Sequence, residues 1–119
     1  MRGGVILSIE AACRAKMAFV PVVVALEIAQ KWWVGKLRFS GAGTARQWYE
    51  QTILAFRLRQ LPMLAGVALA AYELPEPFHN DPADRLVVAA ARLLDAPVVT
   101  VDRRILAYGQ LGHVRTISY

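Results

Sequence analysis

Three carboxylates lying far apart along the chain, Glu27, Asp84 and Asp102, are the residues whose types and settings suit chemistry. Asp84 belongs to the stretch HNDPADRLVVAAARLLDA, residues 79 to 96, and Asp102 ends the apolar run Pro97–Asp102 that follows it. Glu27 interrupts an apolar segment, where a buried carboxylate requires a partner. Carboxylates packed together repel, and at least one takes up a proton unless a cation lies between them. Oxygen-only ligands suit hard Mg²⁺ or Mn²⁺, which keep waters that exchange for substrate phosphates. A metal so held polarises a phosphodiester and generates hydroxide for in-line attack. The sequence offers no Ser–His or Cys–His arrangement for covalent catalysis, and neither a P-loop nor a GxGxxG fingerprint.

The elements that must position these acids follow from local signals. Asp81 is an N-cap, Pro82 fits the first helical position, and Asp84 falls at N3, so D-P-A-D resembles a capping box. The spacing predicts a helix over 81–95, with Leu86, Val87, Ala90, Leu93 and Leu94 as its apolar stripe. Pro97–Asp102 reads as a buried strand, followed by a short helix Arg103–Tyr108 and a last strand Val114–Ile117. Towards the N-terminus, Ser8 caps a short helix over Ile9–Ala15, and Met17–Val20 reads as a buried strand. After Pro21, VVVALEIAQKWWVGKL reads as a helix ending near Val34, with Gly35 at C′ and Lys31 and Lys36 at its carbonyl end. Thr44 or Gly43 starts a further helix through Trp48, Ile53 and Phe56; Leu58–Met63 is a short strand, and Leu64–Leu74 an Ala-rich helix closed by Pro75 and Pro77. Short strands alternating with helices predict parallel βαβ units in a three-layer α/β/α sandwich. Such units bring the start of helix 81–95 and the end of strand 97–102 to one sheet edge. Glu27, about two turns into its helix, is expected on the same side, where open α/β sheets bind ligands.

Composition sets the outer bounds. A chain of 119 residues fits one domain spanning 1–119 with a modest core, and 56% hydrophobic residues suit a well-buried α/β protein with an apolar partner surface. The longest charge-free runs, Met17–Leu26 and Leu61–Tyr72, are too short to span a bilayer. Arg2 precedes an apolar run that Glu10 interrupts, so no membrane or export signal stands out. Cys13 is the single cysteine; it excludes an intrachain disulfide and fits a reducing cytoplasm. The net charge of +5 favours polyanionic partners, either nucleic acid or an acidic protein segment.

The segment FHNDPADRLVVAAARLLDAPVVTVDRRILAYG resembles the C-terminal half of bacterial PIN domains, especially VapC-type toxin ribonucleases, and VPVVVALEIAQKWWVGKLRF resembles their second strand and glutamate-bearing helix. The resemblance implies a Mg²⁺- or Mn²⁺-dependent endoribonuclease that cuts RNA and is silenced by an antitoxin protein. Carried over by position, its metal-binding acids are Glu27, Asp84 and Asp102, with Asp81 peripheral. It also suggests, together with the hydrophobic excess, a homodimer. One departure matters. The family opens with a strand ending in an aspartate of the metal site, in a motif like LLDTH, whereas nothing before Glu10 is acidic here. The expected fold is therefore PIN-like and N-terminally shortened, with Val5–Ser8 able to fill the first strand without its carboxylate. The alternative reading is a catalytically inactive PIN-like module that only binds antitoxin or RNA.

Each of these residues has a plainer role available. Asp81 serves as an N-cap, Asp84 as its reciprocal capping-box partner, Asp102 as a cap on helix 103–108, and Glu27 as a salt-bridge partner of Arg85 or Lys31. His79 has no paired His or Cys at ligand spacing, which favours a loop role or an RNA contact over a metal. Trp32 and Trp33 suit core and groove packing. Arg85 can orient the acids or touch phosphate, while Arg103 and Arg104 fit a solvated face as well as an RNA contact.

Overall fold

A computed structural model describes residues 18–38, 41 and 43–118. The expected Ser8-capped helix, the Val5–Ser8 strand and Cys13 lie outside the described residues. The chain divides into two compact units, the described residues up to Pro62 belonging to one and those from Met63 to the other. No helix among the described residues is long and apolar enough to cross a membrane.

The first unit runs β1 (Phe19–Pro21), α1 (Val23–Trp33), α2 (Ala45–Ala55) and β2 (Arg59–Leu61). β1 and β2 pair in parallel, with Phe19 opposite Arg59 and Pro21 opposite Leu61. Parallel neighbours need a crossover, which the two helices supply. α1 stops where its sequence says: Gly35 adopts φ +82°, a conformation that carries no Cβ penalty in glycine. Thr44 caps α2, its Oγ1 accepting from the Gln47 N–H at 3.1 Å. The packing expected of both tryptophans fails for one of them, since Trp33 is 85% exposed. Consecutive side chains on a helix diverge, so a stripe that takes in Trp32 excludes its neighbour. The Arg38 guanidinium lies 5.4 Å from the Trp32 ring centroid.

The second unit runs α3 (Ala65–Ala70), α4 (Pro82–Leu94), β3 (Val98–Val99), α5 (Arg103–Gln110) and β4 (Thr116–Ile117). β3 and β4 also pair in parallel, with Val98 opposite Thr116 and Val99 opposite Ile117. Among the described residues the strands thus form two separate two-stranded parallel sheets, one per unit. A buried cluster of Ala71, Leu74, Val88, Ala89, Val98, Ile105, Tyr108 and Val114 forms the core of this unit. The buried face of α4 matches the expected stripe in part: Ala90 is buried and Leu86 and Val87 pack against the core, but Leu93 and Leu94 do not. It is built from Arg85, Val88 and the alanines 89–91, whereas Leu93 is 61% exposed. Small side chains there let α3 and α4 lie close, and Leu93 and Leu94 face outward. The strands are also shorter than expected. The Thr100 N–H still donates to the Ile117 carbonyl at 3.0 Å; beyond it the chain leaves the ladder, as Thr100 Oγ1 accepts the Asp102 N–H at 2.9 Å and turns the backbone into the cap of α5.

Candidate functional site

The polar residues of interest in the second unit gather where α4 and α5 begin. Asp81 Oδ1 accepts the Asp84 N–H at 3.0 Å, and Pro82 occupies the first turn, as the sequence predicts. The reciprocal half of a capping box is not formed. Instead the Asp84 carboxylate turns to His79, whose Nε2 lies 2.7 Å from Oδ2. Both side chains are largely shielded from solvent.

Arg85 fixes the loop that delivers His79. Its Nε donates to the His79 carbonyl at 2.9 Å, Nη2 to the Phe78 carbonyl at 2.9 Å, and Nη1 to the Ala71 carbonyl at 3.0 Å. The guanidinium also lies 4.8 Å from the Tyr72 ring centroid and 5.8 Å from that of Phe78. Of the two roles expected of Arg85, orienting the acids or touching phosphate, its 6% exposure and its nitrogens on three carbonyls suit the first, as a structural clamp. Tyr108 supports the same loop from beneath. Its hydroxyl donates to the Pro75 carbonyl at 2.6 Å, and its ring lies 4.4 Å from that of Phe78. Burial pushes the Tyr108 hydroxyl above its ordinary pKa, against the opposing pull of Arg92 and Arg85.

Asp102 caps α5, its Oδ1 accepting from the N–H groups of Arg104 at 2.9 Å and Ile105 at 3.1 Å. The guanidinium of Arg104 reaches back to Asp84, Nη2 lying 3.8 Å from Oδ2. Arg104 therefore joins the two acids: its main chain bonds Asp102 and its side chain meets Asp84. Sequence reasoning missed that bridge, since the only signal was an arginine two residues after a capping acid. Arg103, on the same turn, is exposed and has no ion-pair partner among the described residues.

Glu27 belongs to the first unit, half-buried on α1 and engaged in an interaction of its own. That unit also carries an apolar groove of about 570 Å³, lined by Ala25, Ile28 and Ala29 of α1 and by Tyr49, Ile53 and Leu54 of α2. Among the described residues no three His, Cys, Asp or Glu side chains stand together as a ready metal site. The chemistry of the acids still suits a hard cation. Asp84 Oδ1 and Asp102 Oδ2 accept no hydrogen bond among the described residues, so each acid retains an oxygen for a ligand.

No curated protein matches the chain. A family model described as the PIN domain matches residues 7–111, which takes in β1, β2 and β3, all five helices described above, and the acids at positions 27, 81, 84 and 102. PIN domains are generally nucleases that use divalent metal ions. With a match covering most of its length, the chain belongs to the PIN domain family.

Proposed function

We propose that this protein is an endoribonuclease of the toxin–antitoxin type, in which Glu27, Asp84 and Asp102 hold Mg²⁺ or Mn²⁺ and Asp81 is peripheral. The ion when bound would activate water for attack on an RNA phosphodiester. The observation that carries this reading is the joining of Asp84 and Asp102 through Arg104, each acid keeping one carboxylate oxygen unbonded. His79, through Nε2, holds Asp84 in one orientation, and Arg103 with His79 would contact the RNA. In this reading both units form a single domain over 1–119 with the three-layer α/β/α architecture of the VapC type. The protein acts in the cytoplasm as a homodimer and is silenced by a cognate antitoxin. Exposed apolar side chains such as Leu54, Leu69 and Trp33 support association with partners.

The test is cleavage of single-stranded RNA by the purified protein with either metal. Activity is expected with Mg²⁺ or Mn²⁺, abolished by chelation and lost in Asp84→Asn. An inert wild-type protein would exclude the nuclease. The alternative reading is a non-catalytic PIN-like module that only binds antitoxin or RNA. It predicts RNA or antitoxin binding with no cleavage under the same conditions.

A further inference from the structure

We propose that Arg104 is a phosphate-binding residue for single-stranded RNA, placed beside Asp84; this rests on the nuclease reading above and deepens it. Its side chain is 61% exposed, so a polyanion can reach it without displacing the core. Its one carboxylate partner among the described residues is Asp84, at 3.8 Å, the outer edge of an ion pair. A pair of that length, with its guanidinium in solvent, contributes about 1 kcal/mol or less, and salt weakens it further. Asp84 does not depend on Arg104, because His79 Nε2 already meets the same oxygen at 2.7 Å. Most of the guanidinium donors therefore remain available, and the planar fork suits two phosphate oxygens.

The other arginines of this unit differ in ways that matter. Arg85 is buried on three carbonyls, Arg92 donates to the His113 carbonyl, Arg115 meets Asp95 at 3.2 Å, and Arg103, though exposed, has no ion pair with Asp84 or any other acid among the described residues. Arg104 stands against Asp84, a proposed catalytic acid, while facing solvent. Its position is also fixed at the root, because its own N–H is bonded to Asp102 at 2.9 Å. A phosphate gripped there would lie beside Asp84, on the residue whose main chain bonds Asp102. Arg104 needs only to turn from a carboxylate to a phosphate.

The test is binding of a labelled single-stranded RNA, followed by fluorescence anisotropy in EDTA across a salt series, so that it reads affinity apart from metal-loaded activity. Arg104→Gln is expected to weaken binding about tenfold at low salt and to flatten the salt dependence by about one phosphate contact. Arg46→Gln, which removes the same charge from an exposed position on α2, is the control for net charge. Equal affinity and slope for Arg104→Gln and Arg46→Gln would overturn the proposal. In an Asp84→Asn background Arg104→Gln should still weaken binding; no effect there would mean that Arg104 acts only by holding Asp84, and the proposal falls. Arg104→Lys, which keeps a point charge without the fork, should restore the slope and part of the affinity. Wild-type protein that neither binds this RNA nor cuts it with Mn²⁺ would defeat the nuclease reading itself. Binding without cleavage leaves the Arg104 comparison fully decisive.

Discussion

Replacing Arg85 by methionine separates the clamp role from any role in substrate binding. The side chain is 6% exposed and donates to the carbonyls of Ala71, Phe78 and His79 at 2.9–3.0 Å. Hydrogen bonds from a charged donor contribute about 1.5–3 kcal/mol each, but three such values cannot simply be added. Phe78 and His79 are only partly buried, so water can reach their carbonyls in the variant. Ala71 is fully buried, and its carbonyl would lose its partner at about 1–3 kcal/mol. Loss of the contacts with the Tyr72 and Phe78 rings adds about 0.5–2 kcal/mol. Against this, methionine removes a buried cation that has no carboxylate partner at hydrogen-bond distance among the described residues, which offsets part of the loss. The expected destabilisation is about 3 kcal/mol, measured as a shift in urea midpoint by circular dichroism with the m-value unchanged. Arg85→Lys should fall between the two, because one ammonium cannot reach three divergent carbonyls. A loss below about 1 kcal/mol for the methionine variant would refute the clamp and return Arg85 to the list of surface cations.

Three further outcomes follow from the same unit. A Cβ at Gly109 would meet Thr116 Cγ2 at 2.8 Å and the Val114 carbonyl at 3.1 Å, so Gly109→Ala should destabilise by about 1–3 kcal/mol in thermal or urea unfolding. Adding Thr116→Ala should recover only part of that, because the carbonyl remains. Burial raises the Tyr108 pKa, so the native state holds its phenolic proton more tightly than the unfolded chain does. That contribution is complete below the ordinary value of 10.0 and is lost as pH rises through the native pKa; urea unfolding above pH 10 should show a fall that is shallower in Tyr108→Phe. Asp102→Asn keeps an oxygen for the two α5 N–H groups and should leave stability nearly unchanged, whereas Asp102→Ala should cost about 0.5–2 kcal/mol. Both should weaken Mn²⁺ binding measured by calorimetry, and equal binding by wild type and Asp102→Asn would remove Asp102 from the metal site.

Local signals carried much of the fold because they depend on near neighbours. Thr44, Asp81 and Asp102 all cap the helices they were expected to begin, and Gly35 takes the positive φ that its place after α1 requires. What failed depended on the partner rather than the segment. The six-residue strand ending at Asp102 contains two ladder residues, because its partner β4 is equally short and Thr100 diverts the backbone. The α4 stripe was drawn from side-chain size, which favours leucine. The structure keeps Leu86, Val87 and Ala90 of that stripe against the core but adds Ala89 and Ala91 and leaves Leu93 and Leu94 outside, since proximity to α3 rewards small residues there.

The candidate site shows the same division more sharply. That Asp84 and Asp102 share a sheet edge could be argued from the antiparallel run of helix and strand; in the structure Arg104 bonds Asp102 through its main chain and meets Asp84 through its side chain. What surrounds Asp84 could not be argued that way. D-P-A-D read as a capping box assigns the Asp84 side chain to the backbone N–H of Asp81, a local bond. In the folded protein the carboxylate meets His79 five residues upstream and Arg104 twenty residues downstream. The His79 contact exists because Arg85 and Tyr108 pin the preceding loop by its carbonyls, and carbonyls leave no mark in a sequence. A long-range polar site is thus set by main-chain acceptors, and its cations sort by what those acceptors leave over. Arg85, adjacent to Asp84 in sequence, is consumed by the scaffold; Arg104, distant from it, keeps its donors for a ligand.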